Sequence, residues 1–238
     1  MKRKAILFDC GDTLVHLDPP REKIVLDFLH EEGVNIAISD VKLAYRIANF
    51  CLKQSSLNIR STKEKQDFFI TYNMQLFKIL GLSSKAESWA EKLLEKFTKY
   101  RRWVPFSDID PALRSLKLAS FSLGVVANWD SGLSDLLEQL SISQLFTVIL
   151  SSAEVGIEKP APEIFLLAME RIGTSSNGTY YAGNEYEIDV IGARGAGIKP
   201  ILIDRDNALP YADCLRFPSL REMATYLIDT QRGDKGAV

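Results

Sequence analysis

The apolar positions of this chain change their period twice. A run from Ala5 to Phe8 closes on Asp9 and gives way at once to Cys10, Gly11, Asp12 and Thr13, the pattern of a buried strand that delivers a carboxylate to its own end. From about residue 20 to 100 the apolar residues recur at helical spacing, which predicts helices over 21–32, 40–54, 62–80 and 85–101 with no strand between them. After Trp103 the pattern alternates, with strands predicted over 121–127, 147–150, 179–182 and 200–203 and helices over 130–140, 162–172, 187–196 and 219–229. That alternation implies an α/β fold, a doubly wound parallel sheet with right-handed crossovers, carrying an all-helical insertion after its first strand. The expected division is an α/β core over 1–16 and 105–238 and a helical domain over 17–104. Linkers near 16–19 and 104–106 are expected to act as hinges, and a flexible tail is expected over about 231–238, where nothing remains to bury.

Bulk properties narrow the classes of function. At 238 residues the chain can bury a full core, and its net charge of −2 comes from well-mixed charged residues, so it carries no basic footprint for nucleic acid and no polybasic membrane patch. No stretch approaches the roughly 18 apolar residues of a spanning helix, and the apolar run after the N-terminal Lys-Arg-Lys is too short for a signal peptide. A cytoplasmic location is therefore expected. Cys10, Cys51 and Cys214 are odd in number and widely spaced, which argues against a disulfide framework or a zinc site. Cys10 reads as a small buried hydrophobe.

Candidate chemistry begins at Asp9, because ligands of open α/β sheets bind beyond the carboxyl ends of the strands. Three later segments suit the same place. An apolar strand runs through Ala127 into Asn128 and Trp129; Lys159 sits between Glu158 and Pro160 just before a predicted helix; and Gly183-Asn184 opens another helix that reaches Asp189. In order and spacing these four segments resemble the haloacid dehalogenase superfamily of aspartate-nucleophile hydrolases, in the group with a helical cap. The resemblance spans nearly the whole chain. It implies Asp9 as nucleophile and Lys159 as its electrostatic partner, with Thr13, Asn128, Trp129 and Lys159 contacting substrate. It also implies a magnesium ion, weakly held or absent here, at Asp9, the Gly11 carbonyl, Asn184 and Asp189. A small phosphorylated molecule is the implied substrate.

Three positions depart from the family pattern. Gly11 stands where its phosphatases place a second Asp that protonates the leaving group, help worth roughly two to four powers of ten. Ala127 replaces a hydroxyl that would bond phosphoryl oxygens, and Asn184 replaces a metal-binding carboxylate, a charged ligand exchanged for a neutral one. Asp12, His16 and Glu185 are the residues that could compensate. Besides a phosphatase with weakened magnesium dependence, the departures leave open a 2-haloacid dehalogenase, in which halide leaves without a proton and Arg46 or Arg60 would face it. They equally leave open a catalytically silent relative that binds a ligand or partner. Phe68, Phe69, Tyr72 and Phe77 fall near helical spacing and read as the core of the helical domain or as an exposed association surface.

Overall fold

A computed structural model describes residues 4–52, 62–100 and 102–235. The chain enters through β1 (Ala5–Phe8), all four of whose residues are buried, as befits a central strand covered on both faces. It continues through β2 (Val15–Asp18) into four helices, α1 (Arg21–Glu31), α2 (Ile38–Leu52), α3 (Thr62–Ile79) and α4 (Ala86–Tyr100), and returns through β3 (Arg102–Pro105). The second half runs α5 (Ile109–Leu118), β4 (Ser122–Ala127), α6 (Leu133–Gln139), β5 (Val148–Ser151), the single turn α7 (Ser152–Val155), α8 (Pro162–Ile172) and β6 (Thr179–Gly183). A π turn at Tyr186–Val190 leads into α9 (Ile191–Gly195), followed by β7 (Lys199–Ile203), β8 (Leu215–Phe217) and α10 (Leu220–Lys235).

Contacts divide the chain into two units, Met1–His16 with Val104–Val238, and Leu17–Trp103. In the first, six strands form one sheet in the order β5-β4-β1-β6-β7-β8, with every neighbouring pair parallel. Counted in chain order within that sheet, the strands lie 3-2-1-4-5-6, the doubly wound arrangement whose ligand crevice opens where the order reverses. That point is the carboxyl end of β1, between β4 and β6. One face of the sheet packs Leu7, Val126, Leu150 and Tyr181 against Ile164, Phe165, Ala168 and Met169 of α8, and each buried Leu, Val, Ile, Phe or Met contributes about 1.5–3 kcal/mol. Among the described residues no helix is long and apolar enough to cross a membrane.

The helical unit has a core of its own. Phe28, Phe77 and Trp89 meet in a cluster with ring centroids 5.7–5.8 Å apart, surrounded by Ile24, Leu29, Val41, Leu76 and Leu93. Of the four aromatic residues singled out on α3, Phe77 is fully buried, whereas Phe68, Phe69 and Tyr72 are half-buried. The buried Asn73 amide donates to the Ala90 carbonyl at 3.1 Å and ties α3 to α4.

Several elements differ from expectation. The segments predicted as linkers pair as strands β2 and β3; each is four residues long, too short to show a period. His16 lies in β2, half-buried, with its ring 4.5 Å from that of Phe106. α5 lies outside the predicted helices and carries Pro111 in its first turn, where Pro is tolerated. β8 is a three-residue edge strand without a signal of its own. At the other end α10 continues to Lys235 through exposed Arg232 and Gly233. The helix propagates past its last buried residue because each added residue gains a backbone hydrogen bond without a new nucleus. Residues 236–238 of the expected tail and Arg60 lie outside the described residues.

Candidate active site

The end of β1 is pinned before any side chain is considered. The Asp9 amide donates to the Ala182 carbonyl of β6 at 2.9 Å, and the Cys10 carbonyl accepts from Leu14 and Val15 at 2.8 and 3.0 Å. This closes residues 9–15 into a tight loop. Asp12 occupies its left-handed position at φ 56°, a conformation Asp tolerates better than most residues. Gly11 lies beneath an indole: a Cβ there would sit 3.3 Å from the Trp129 ring. The ring therefore covers the space into which an acid–base side chain at position 11 would project.

Lys159 is the centre of the polar cluster. Its ammonium donates to Asp9 Oδ1, Asp189 Oδ1 and the Tyr181 hydroxyl, each at 2.7 Å, so all three protons are used. The side chain is 2% exposed. Burial alone would lower its pKa, but Asp189 and Asp9 more than reverse that, and the ammonium stays charged. For Asp9 burial dominates: it pushes the carboxyl up, Lys159 pulls it back, and Asp189 adds to the rise, leaving it at about 6. Burial also pushes the Cys10 thiol up, beside Asp9, which suits an inert packing residue.

Each partner of Lys159 is itself held. Asn128 accepts from the Lys159 amide at 2.8 Å and donates to the Lys159 carbonyl at 2.9 Å, so its carboxamide grips the backbone of Lys159. Asp189 projects from the π turn, and its second oxygen accepts from the Glu185 amide at 2.9 Å. Gly183 is required here, since a Cβ would run into the Asp189 carboxyl. Trp129 is anchored by its backbone, whose amide donates to Ser152 Oγ at 3.2 Å. Thr13 is buried, and its carbonyl accepts from Arg205 at 3.0 Å. Arg205 in turn stacks 3.7 Å above Phe106 and pairs with Asp108.

Tyr181, Ser152 and Arg205 escaped the sequence reading. Tyr181 packs edge-on against Phe165 and its hydroxyl donates to the Val126 carbonyl at 2.8 Å while accepting from Lys159. The buried phenol thus links β4, β6 and the lysine loop. Tyr181→Phe leaves both groups a partner short, with an expected loss of about 1–3 kcal/mol, measurable by denaturant unfolding.

A family-type magnesium site does not fit these residues. Asp9 Oδ1 and both oxygens of Asp189 already accept hydrogen bonds, leaving Asp9 Oδ2 and the Gly11 carbonyl, and the side chain facing them is the neutral Asn184. Among the described residues no group of three or more His, Cys, Asp or Glu side chains could hold a metal ion. Glu185 reaches Asp189 through its backbone amide, and Glu187 is exposed.

The family model described as haloacid dehalogenase-like hydrolase matches residues 6–203. The chain belongs to this family. A glyceraldehyde 3-phosphate phosphatase of Methanothermobacter thermautotrophicus is 32% identical over 212 residues, covering 85% of this chain and 86% of that protein. The haloacid dehalogenase-like hydrolase domain-containing protein 3 of Danio rerio is 26% identical over 204 residues, 84% of each chain. Among solved structures, the putative HAD-hydrolase YfnB of Bacillus subtilis, bound to magnesium, superposes with a TM-score of 0.69 at 21% identity, covering 95% of this chain and 99% of that one. That neighbour supports the fold.

Proposed function

We propose that this haloacid dehalogenase-like hydrolase uses Asp9 as a nucleophile on a small phosphorylated metabolite, with little reliance on magnesium. The observation that carries the reading is the Asp9–Lys159–Asp189 chain at the carboxyl end of the central strand, where one fully engaged ammonium holds two carboxylates. The activity for which two archaeal relatives are named, glyceraldehyde 3-phosphate phosphatase, supports a phosphomonoester. In the reaction an Asp9 oxygen bonds to phosphorus as the ester P–O bond breaks, and water then hydrolyses the aspartyl phosphate. Lys159 offsets charge on the nucleophile, and the leaving alkoxide takes its proton from water because Gly11 has none to give. The helical unit acts as a cap over 17–104 that sets substrate choice.

The covered space above Gly11 favours a second reading, hydrolytic dehalogenation, since a halide leaves without a proton. Turnover of a panel of phosphomonoesters and 2-haloacids, with Asp9→Asn as control, decides between them. Phosphate release that disappears in the control is the expected result. Halide release assigns the second reading, and no turnover above the control on either class overturns both in favour of a binding protein.

A further inference from the structure

Three oxygens of the loop after β1 converge on one side chain. With the Asn184 carboxamide oriented so that its nitrogen faces them, that nitrogen lies 3.2 Å from Asp9 Oδ2, 3.1 Å from the Gly11 carbonyl and 3.1 Å from Thr13 Oγ1. The reverse orientation keeps a contact with Thr13 at 3.1 Å but sets the amide oxygen against a carboxylate and a carbonyl, acceptor against acceptor. Orientation is assigned from the hydrogen-bond network, and only the first one satisfies it. The two amide protons match the two oxygens that can only accept, Asp9 Oδ2 and Gly11 O. The Thr13 hydroxyl oxygen, at the same distance, can take only a shared part of one of those two protons.

We propose that Asn184 does the work of a divalent cation in this enzyme: its amide clamps the nucleophile to the Gly11 carbonyl, and the reaction proceeds with no metal bound. The inference rests on Asp9 being the nucleophile. A magnesium ion requires near-octahedral oxygen at about 2.0–2.1 Å, and it would have to displace the amide from every oxygen left to it. Asp189 cannot rescue the site, because Lys159 and the Glu185 amide hold both of its oxygens. Asn184 is thus a positioning residue acting through Asp9, and a single change to Asp should convert an amide clamp into a metal site.

The test titrates magnesium into the full-length protein, followed by calorimetry and thermal unfolding, for the wild type, Asn184→Asp and Asn184→Ala. Wild type should show no saturable binding and no shift in Tm, and its turnover should change less than about twofold with EDTA. Asn184→Asp sets a second carboxylate against Asp9 and should unfold at lower temperature without metal. Magnesium should then raise its Tm saturably and its turnover at least ~10-fold. Asn184→Ala, which introduces no charge, should lose ~10-fold or more in turnover, with no recovery on adding magnesium. Saturable magnesium binding to the wild type that is lost in Asp9→Asn would overturn the proposal, as would wild-type turnover abolished by EDTA and restored by magnesium. If Asn184→Asp does not fold, the wild-type titration still decides. Turnover that survives Asp9→Asn instead sinks the nucleophile reading, a failure the binding curves distinguish from that of the clamp.

Discussion

Asp9→Asn lowers turnover by roughly 10³-fold or more while the fold survives, because the amide cannot form the covalent intermediate yet has the same shape as the carboxylate. The pH profile makes the expectation specific to Asp9. Burial raises its carboxyl from 3.8 to about 6, so wild-type kcat/KM should fall as pH drops through about 6, where the nucleophile takes up a proton. The sign for stability runs the other way. A carboxyl whose pKa is raised on folding favours the protonated native state, a contribution fully present below its unfolded pKa and lost as pH rises through about 6. Asp9→Asn removes the ionisation altogether, so its unfolding free energy should gain on that of the wild type between pH 4 and pH 8. Parallel denaturant curves at the two pH values measure this. A constant gap would mean that Asp9 is not ionised against its surroundings.

Asp9 was legible only in company: an apolar run that stops at Asp before Gly reads equally well as an ordinary turn, and the three later segments in fitting order are what pointed to a site at the strand end. The helices of the inserted unit were legible from a local signal, since α1 and α3 each repeat their apolar positions over several turns. What the sequence concealed was non-local. Tyr181 stands in a strand beside Tyr180, and nothing in period-two spacing says that the hydroxyl of one of them reaches Lys159, 22 positions away. Arg205 holds the Thr13 carbonyl across 192 positions, a pairing set only when β7 takes its place in the sheet. Asn128 illustrates a different limit. Its place at the strand end was visible, but a carboxamide at a crevice can face ligand or backbone, and here it faces the backbone of Lys159. The exchange of Asp for Asn at position 184 was visible as weaker metal binding. That the amide nitrogen turns toward the loop follows from three oxygens no one-dimensional pattern brings together.

Lys159→Met should be the most destabilising single change in the site. The substitution keeps an unbranched chain of similar length and deletes the charge, so Asp9 and Asp189 lose the ammonium they share at 2.7 Å, and Tyr181 loses a donor. Removing one partner from a buried ion pair costs about 3–5 kcal/mol, since the remaining charge is stranded away from water. In a chain of this size that corresponds to a fall in Tm of roughly 6–20 °C. The loss should depend on pH in a way a packing defect would not. Burial already raises the Asp9 carboxyl to about 6 against the pull of Lys159; without that pull it rises further, so the variant recovers stability as pH falls and Asp9 takes up a proton, and its deficit against wild type narrows between pH 8 and pH 5. Denaturant unfolding at both pH values reads this directly; a deficit of the same size at each would assign the damage to lost packing. Lys159→Arg separates charge from geometry. It keeps the positive charge, but a planar guanidinium cannot direct three donors along the paths of a tetrahedral ammonium. It should therefore recover part of the stability lost in Lys159→Met while turnover stays low, because the nucleophile is no longer held against β6 by the group that also holds Asp189.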